Sequence, residues 1–228
     1  MVRRKRILLL SPYDAMSHRQ WREGVVRHVV DADFTVVTLP ARYFAWRHRG
    51  NSLSLAHDPR LQQSFDLILA TSMTDLSALK GMRPNLAAVP TVLYFHENQF
   101  AYPGGEQGVL ERQITSIYSG LAADRLVFNS AYNRSTFMGG ARELLKKMPD
   151  EVPAGIVDGL EARSTVMPVP LDQEHYRSSP ARPGFDIVWN HRWEYDKGLQ
   201  ELQDVINGVI AAGLPCRFHL IGQQFRKI

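Results

Sequence analysis

Four short apolar runs without polar alternation constrain this chain most: Arg6 to Leu10, Leu67 to Thr71, Thr91 to Phe95 and Arg125 to Asn129. A strand lacking a period of two is apolar on both faces, as parallel strands covered on both sides are. Helical patterns fall between them. One begins at Ser17 and continues through Trp21, Val25, Val26, Val29 and Val30, and another spans Val109 to Ala123 with Leu110, Ile114, Ile117, Tyr118 and Leu121 on one side. Phe34 to Leu39 is a further strand, stopped by Pro40, and a helix from Tyr132 towards Lys147 is interrupted at Gly139-Gly140. Strands alternating with helices predict a doubly wound α/β domain.

The composition then changes. Pro149, Pro153, Pro168, Pro170, Pro180 and Pro183 mark a boundary region in which Ser164 to Val169 is an embedded strand. We expect an amino-terminal Rossmann-like domain over 1–171, a linker over 172–184, and the start of a second domain over 185–228. That last part reads as a strand at Phe185 to Trp189, a helix from Lys197 to Ala212 stopped by Gly213, and a strand at Arg217 to Ile221. Such a unit lies near the lower limit for an independent core, so it is expected to be incomplete.

The 228 residues are 44% hydrophobic, enough for one large core or for one core plus a small second domain. A balance of 27 Lys+Arg against 23 Asp+Glu favours an anionic partner without naming one. The single cysteine, Cys216, excludes an internal disulfide framework and a thiolate metal cluster. The apolar run after Arg3-Arg4-Lys5-Arg6 stops at Ser11-Pro12, too early for a signal peptide, and no later run approaches a membrane span. The expected location is cytoplasmic.

Two segments carry the candidate chemistry. Thr91 to Gln99 and Trp189 to Gly198 each run from apolar residues into polar, chargeable ones, as at the carboxyl end of a parallel strand where α/β proteins bind ligands. Arg192 and Lys197 precede a helical pattern, so two cations and a helix N-terminus can converge on an anion, most simply a diphosphate. The structural alternative is a helix start with solvated charges, capped by Asp196. His96 and Glu97 follow a strand directly, and the competing account is a pair satisfied by backbone. No H-E-x-x-H occurs, so a zinc site is not expected; nor do G-x-G-x-x-G, G-x-x-x-x-G-K-[ST] or G-x-S-x-G appear.

Ser17 and His18 stand where backbone donors can meet a phosphate, although Ser17 also suits a plain N-cap. Asn129 and Ser130 end a strand in the same way. Tyr102-Pro103-Gly104-Gly105 reads as a loop over an acceptor or as a simple turn. Arg42-Tyr43-Phe44-Ala45-Trp46-Arg47-His48-Arg49 interleaves cations with rings, as RNA-binding surfaces do. Its alternative is a loop whose aromatics fill the core while the arginines face water. Trp21, Trp189 and Trp193 are expected in cores.

Several blocks together resemble the GT-B glycosyltransferases, and within them the tRNA-queuosine mannosyltransferases. They are Ser17-His18, Thr38-Leu39-Pro40-Ala41-Arg42 with Trp46-Arg47, Tyr94 to Gln99 with Tyr102-Pro103, Val127 to Ser130, and His191 to Glu194 with Asp196-Lys197. The resemblance implies a GT-B fold and a retaining transfer of mannose from GDP-mannose to queuosine in a tRNA anticodon. By it, His96 and Glu97 are catalytic, Arg192, Lys197, Ser17 and His18 bind the donor diphosphate, and Arg42, Trp46, Arg47, Asn98, Gln99, Tyr102 and Asn129 meet the acceptor. It also implies a nucleotide-sugar co-substrate, tRNA as partner, and no required metal or other cofactor. The paired glutamates that hold the donor in that family have no counterpart among these residues, so reduced activity of the 228 residues alone is expected. The alternatives are transfer of another nucleotide-activated sugar to a glycan or small molecule, and a non-catalytic module that binds acceptor or tRNA.

Overall fold

The computed structural model describes residues 3–101, 108–176, 184–193 and 197–222. The elements in order are β1 (Lys5–Ser11), α1 (Met16–His28), β2 (Ala32–Thr38), α2 (Phe44–Ala56), β3 (Leu67–Thr71), α3 (Leu76–Met82), α4 (Pro84–Ala87), β4 (Thr91–Phe95), α5 (Val109–Leu121), β5 (Arg125–Phe128), α6 (Ala131–Leu145), α7 (Ile156–Ala162), β6 (Ser164–Val166), β7 (Phe185–Asn190), α8 (Leu199–Ala211) and β8 (Cys216–Ile221). Short 3-10 turns at Pro59–Gln62 and Gln173–His175 complete them. The chain divides into two compact units, Met1–Leu171 and Asp172–Ile228.

The first unit is built on a six-stranded parallel sheet in the order β2-β1-β3-β4-β5-β6. After β2 the chain crosses back over β1 to form β3, so the strand order reverses at the β1/β3 boundary. Ligands of open α/β sheets bind outside the carboxyl ends of the strands at such a point.

Alternation along each strand fills two cores. Leu93 and Phe95 of β4 join Leu8 and Leu10 of β1 in the larger one, beneath α2, α3, α5 and α6. Tyr94 joins Val127 and Trp21 of α1 in the smaller one, with Val92 packed against it. Phe95 and Phe128 stack at 4.4 Å, Phe137 packs against them tilted at 4.9 and 5.5 Å, and all three are fully buried. Truncating such a ring to alanine costs about 3–5 kcal/mol.

Contrary to expectation, α6 runs unbroken through Gly139-Gly140. A Cβ at Gly140 would lie 2.5 Å from the Phe100 ring, so the glycine there serves close packing rather than a break. A larger difference concerns the segment from Arg42: it is not a loop, because residues 44–56 form α2.

In the second unit β7 and β8 pair in parallel, from Phe185 opposite Cys216 to Asn190 opposite Ile221. No described residue of this unit is buried, and Phe185, Val188, Val205 and Ile210 expose apolar surface. Trp189 and Trp193 correct the core expectation: they are half-buried, with ring centroids 5.3 Å apart. A lone strand-helix-strand offers too little apolar surface to enclose them. Among the described residues, no helix is long and apolar enough to cross a membrane.

Candidate active site

Residues at the carboxyl ends of β1 and β4 meet at the switch point of the first unit. After β1, the Asp14 carboxylate accepts from Arg22 at 3.0 and 3.1 Å and from Arg19 at 3.3 Å, tying the β1–α1 turn to the helix it opens. Burial pulls the Asp14 pKa up, but its arginine partners prevail and hold it below the usual value. His18, in the first turn of α1, is 4% exposed, and its Nε2 lies 3.2 Å from Glu97 Oε2. The His18 and His96 rings stack at 4.2 Å with planes 17° apart. Trp21 presents an edge to His96 at 4.9 Å and stacks on Tyr94 at 4.5 Å. The Tyr94 hydroxyl donates to Met167 O, and burial pushes its pKa up to about 12.

These contacts set the protonation of the cluster. Burial acts to raise the Glu97 pKa, yet the His18 hydrogen bond and the neighbouring imidazoles outweigh it and hold the carboxyl below its ordinary value. An ionised carboxylate only accepts, so His18 Nε2 carries the proton of their contact. Burial drives the His96 pKa down to about 3, with His18 acting in the same direction and Glu97 against it. At neutral pH the arrangement is thus a carboxylate beside a neutral His96 imidazole, suited to accept from a hydroxyl or take its proton.

The loop after β4 is fixed by three asparagines. Asn98 Nδ2 donates to Asn133 O, Asn133 Oδ1 and Thr136 Oγ1, while its Oδ1 accepts from the backbone N–H groups of Phe100 and Ala101. Asn129 Nδ2 donates to His96 O, and Asn133 Nδ2 donates to Asn129 Oδ1 and Phe95 O. Ser130 is the N-cap of α6, accepting from Asn133 N at 3.1 Å. Asn98 and Asn129 therefore use their amides to hold the loop, and both line the cavity beside His96 and Glu97. Gln99 is buried as well, and its carbonyl accepts from Gln113 Nε2. The asparagines back a cavity of about 280 Å³ that opens beside His96, Glu97, Ala101 and Tyr132, at the small end of ligand pockets.

Other assignments shift too. Ser17 is exposed inside α1 and caps nothing; Ala15 holds the N-cap position without a side-chain bond. His18 does not face solvent as a phosphate contact, because its ring is turned inward onto Glu97. Arg42 and Trp46 are exposed, whereas Arg47 is 8% exposed with a buried Nε that has no hydrogen-bond partner, so it belongs to the buried face of α2 rather than to an outer cationic surface. Tyr43 is the N-cap of α2 in the left-handed region, φ 53°, with its ring outward under the Arg42 guanidinium at 5.5 Å. The aromatics of this tract thus face outward at Tyr43 and Trp46, and only Phe44 turns inward, to Tyr13 at 5.6 Å and towards Arg112 at 5.9 Å.

One residue to which the sequence reading gave no separate role lies near the cluster. His48 is buried on α2, and its electrostatic coupling reaches both Arg112 and Glu97. Burial, then Arg112, lowers its pKa to about 4. No sequence signal marked it beyond its place among the cations and rings from Arg42 to Arg49.

In the second unit, Arg192 follows β7 and Lys197 precedes α8. Gly198 begins α8 at φ 67° with no side-chain cap, leaving the first backbone N–H groups uncapped by a side chain, while Glu201 sits in the first turn close to Gly198. Tyr102, Glu194 and the expected cap Asp196 lie outside the described residues. No group of three or more His, Cys, Asp or Glu among the described residues is arranged to hold a metal ion.

Residues 6–171 match the family described as tRNA-queuosine alpha-mannosyltransferase N-terminal. A tRNA-queuosine alpha-mannosyltransferase from Drosophila melanogaster is 29% identical over 97% of this chain, and the chain spans 62% of that relative's length. The crystal structure of Anabaena Alr3699/HepE in complex with UDP and glucose is similar in fold, with a TM-score of 0.55 at 10% identity, over 95% of this chain and 69% of the other. The fold is α/β of the GT-B type.

Proposed function

The chain belongs to the tRNA-queuosine alpha-mannosyltransferase family by its N-terminal part, and from that premise we propose that it serves glycosyl transfer, carrying mannose from GDP-mannose to queuosine in a tRNA anticodon. The observation that supports this reading is the Glu97 cluster: an ionised carboxylate, bonded to His18 and beside the neutral His96, at the mouth of a cavity on the carboxyl side of the sheet. A sugar hydroxyl donates to that carboxylate while His96 accepts or orients.

In this reading Arg192, Lys197 and the uncapped start of α8 neutralise the charge that develops on the diphosphate leaving group. That work needs no divalent ion. Arg42 and Trp46 contact the tRNA, one by phosphate pairing and the other by stacking on a splayed base.

A genetic test uses the protein at its natural length. Deleting the gene in the source cells is expected to remove mannosylated queuosine from tRNA hydrolysates weighed by mass spectrometry, and restoring it returns the added hexose. Undiminished mannosyl-queuosine in the deletion strain would overturn the proposal.

A further inference from the structure

Gly50, in the middle of α2, is buried although its neighbour Arg49 is exposed, and what covers it is Trp46, one helical turn earlier. A Cβ at Gly50 would meet Trp46 Cε2 and Cζ2 at 2.6 Å and Cδ2 at 2.8 Å, well inside van der Waals contact. Near-equal distances to three consecutive ring atoms place Gly50 beneath the plane of the indole rather than at its edge. Any other residue there would push the ring off the helix. Glycine in a helix interior costs stability relative to alanine, so its presence calls for an explanation. Packing alone is a thin one, since Trp46 remains 56% exposed.

The rest of that face supplies the explanation. Tyr43, Trp46, Gly50 and Leu53 follow one another at helical spacings of three and four, and Tyr43, Trp46 and Leu53 are all exposed. Tyr43 is the only non-glycine residue with positive φ among the described residues, and this strained conformation presents its ring outward beneath the Arg42 guanidinium. The helix carries no acidic side chain. Arg49 is paired with Asp75 and Glu111, whereas Arg42 brings exposed positive charge to the same end of α2 as Trp46. A planar group can therefore lie on the open face of the indole while an anion joined to it meets Arg42. A nucleotide base with its phosphate has both parts. An apolar protein segment has only the first.

We propose that Gly50 is a positioning residue: lying beneath Trp46, it lets the indole rest flat on α2 so that the open face stacks on one unpaired base of the tRNA anticodon loop. This rests on the tRNA reading above and adds to it the residue that prepares the stacking surface before RNA arrives. A ring already fixed loses little rotamer freedom on binding. Because every base has a face, the surface grips the loop without reading its sequence, and the choice of queuosine is left to the cavity at Glu97.

The test uses the 228-residue chain, its Gly50→Ala and Trp46→Ala variants, the doubly substituted chain, and two probes: an anticodon stem-loop carrying queuosine or, at the same position, guanosine. Trp46→Ala should weaken binding of both about fivefold to a hundredfold, the worth of one base stack. Gly50→Ala should reproduce most of that loss for both probes, with a thermal midpoint at or above wild type because alanine favours the helix. On the Trp46→Ala background the same substitution should change affinity by less than about twofold, since its effect passes through the ring. Unchanged affinity in a folded Gly50→Ala overturns the proposal, and so does an equal loss on the Trp46→Ala background. If Gly50→Ala unfolds, fluorotryptophan labelling decides: the fluorine NMR signal missing from Trp46→Phe must move on saturation with a stem-loop, and a signal that stays in place overturns the proposal. Self-association of wild type without RNA, abolished by Trp46→Ala, makes the face a contact between copies and overturns it as well. A wild-type chain that binds neither stem-loop refutes the tRNA reading itself, and the role of Gly50 falls with it.

Discussion

His18 and Glu97 are 79 positions apart in the chain, yet Nε2 of one stands 3.2 Å from Oε2 of the other. The parallel order β1-β3-β4 makes that meeting possible, because it places the turns after β1 and β4 on the same edge of the sheet, one strand apart. The contact keeps Glu97 ionised against the effect of its burial.

Glu97→Gln retains the shape and removes the charge. In a deletion strain complemented with this variant, mannosyl-queuosine formation should drop by about a hundredfold or more, the scale of general-base catalysis. Quantitative nucleoside mass spectrometry reads it directly. Formation near the wild-type rate would remove Glu97 from the chemistry.

Acid should weaken the fold earlier than carboxylates alone would cause. The ordinary imidazole value is 6.5, whereas the folded His48 and His96 stand at about 4 and about 3. The unfolded chain therefore binds more protons than the folded one as pH falls below 6.5. The stability contributed by the two neutral rings is complete above pH 6.5 and is lost progressively towards pH 3. Glu97, with its lowered value, adds to the loss below its ordinary 4.5. Each imidazole contributes a slope of about 1.4 kcal/mol per pH unit across its window. Urea unfolding from pH 7 to 4 should show this slope, and His48→Phe should remove about one proton from it.

Asn98→Ala should destabilise the chain by about 3 kcal/mol. Phe100 N, Ala101 N and Asn133 Oδ1 lose their partner together, and unmet buried groups cost more than the mean hydrogen bond contributes. Chemical denaturation checks it. A loss below 1 kcal/mol would mean that Asn98 is not the lock of the loop.

The outer face of α2 should behave as an RNA surface with separable parts. Arg42→Ala is expected to reduce the salt slope of tRNA binding by about 0.7 to 1, the share of one phosphate. Trp46→Ala weakens binding by about 1–3 kcal/mol, as loss of a base stack does, and leaves the slope in place. Arg47→Ala changes stability and not the slope, because Arg47 is buried. Filter binding over a range of salt concentrations distinguishes the three.

Strands β3 and β4 match the sequence expectation at both ends, β1 is one residue longer at each end and β5 one residue shorter, because parallel strands enclosed on both faces leave unbroken apolar runs. The helix α2 was not legible. Its buried face carries Arg47, His48, Asn51 and Ser52, held by hydrogen bonds such as Asn51 Nδ2 to Met73 O and Ser52 Oγ to Asp75 O, so it shows no apolar period. His96 and Glu97 were visible as polar residues ending a strand. Their pairing with His18 was not, since only strand order decides which turns meet. The bonds of Asn98 and Asn129 were not legible for a related reason: the register of β4 and β5 brings Asn129 onto His96 O and Asn98 onto α6, and register is a tertiary fact.

The central claim is that a hydroxylated ligand is received at Glu97 between the imidazoles of the first unit. The most direct measurement is NMR observation of the histidine ring signals of the 228-residue chain during titration with the queuosine stem-loop, in wild type and in Glu97→Gln. The account predicts that His18 and His96 signals shift on saturation in wild type, that the guanosine stem-loop leaves them in place, and that Glu97→Gln greatly reduces the shift. Saturable binding that leaves the His18 and His96 signals unmoved would contradict it.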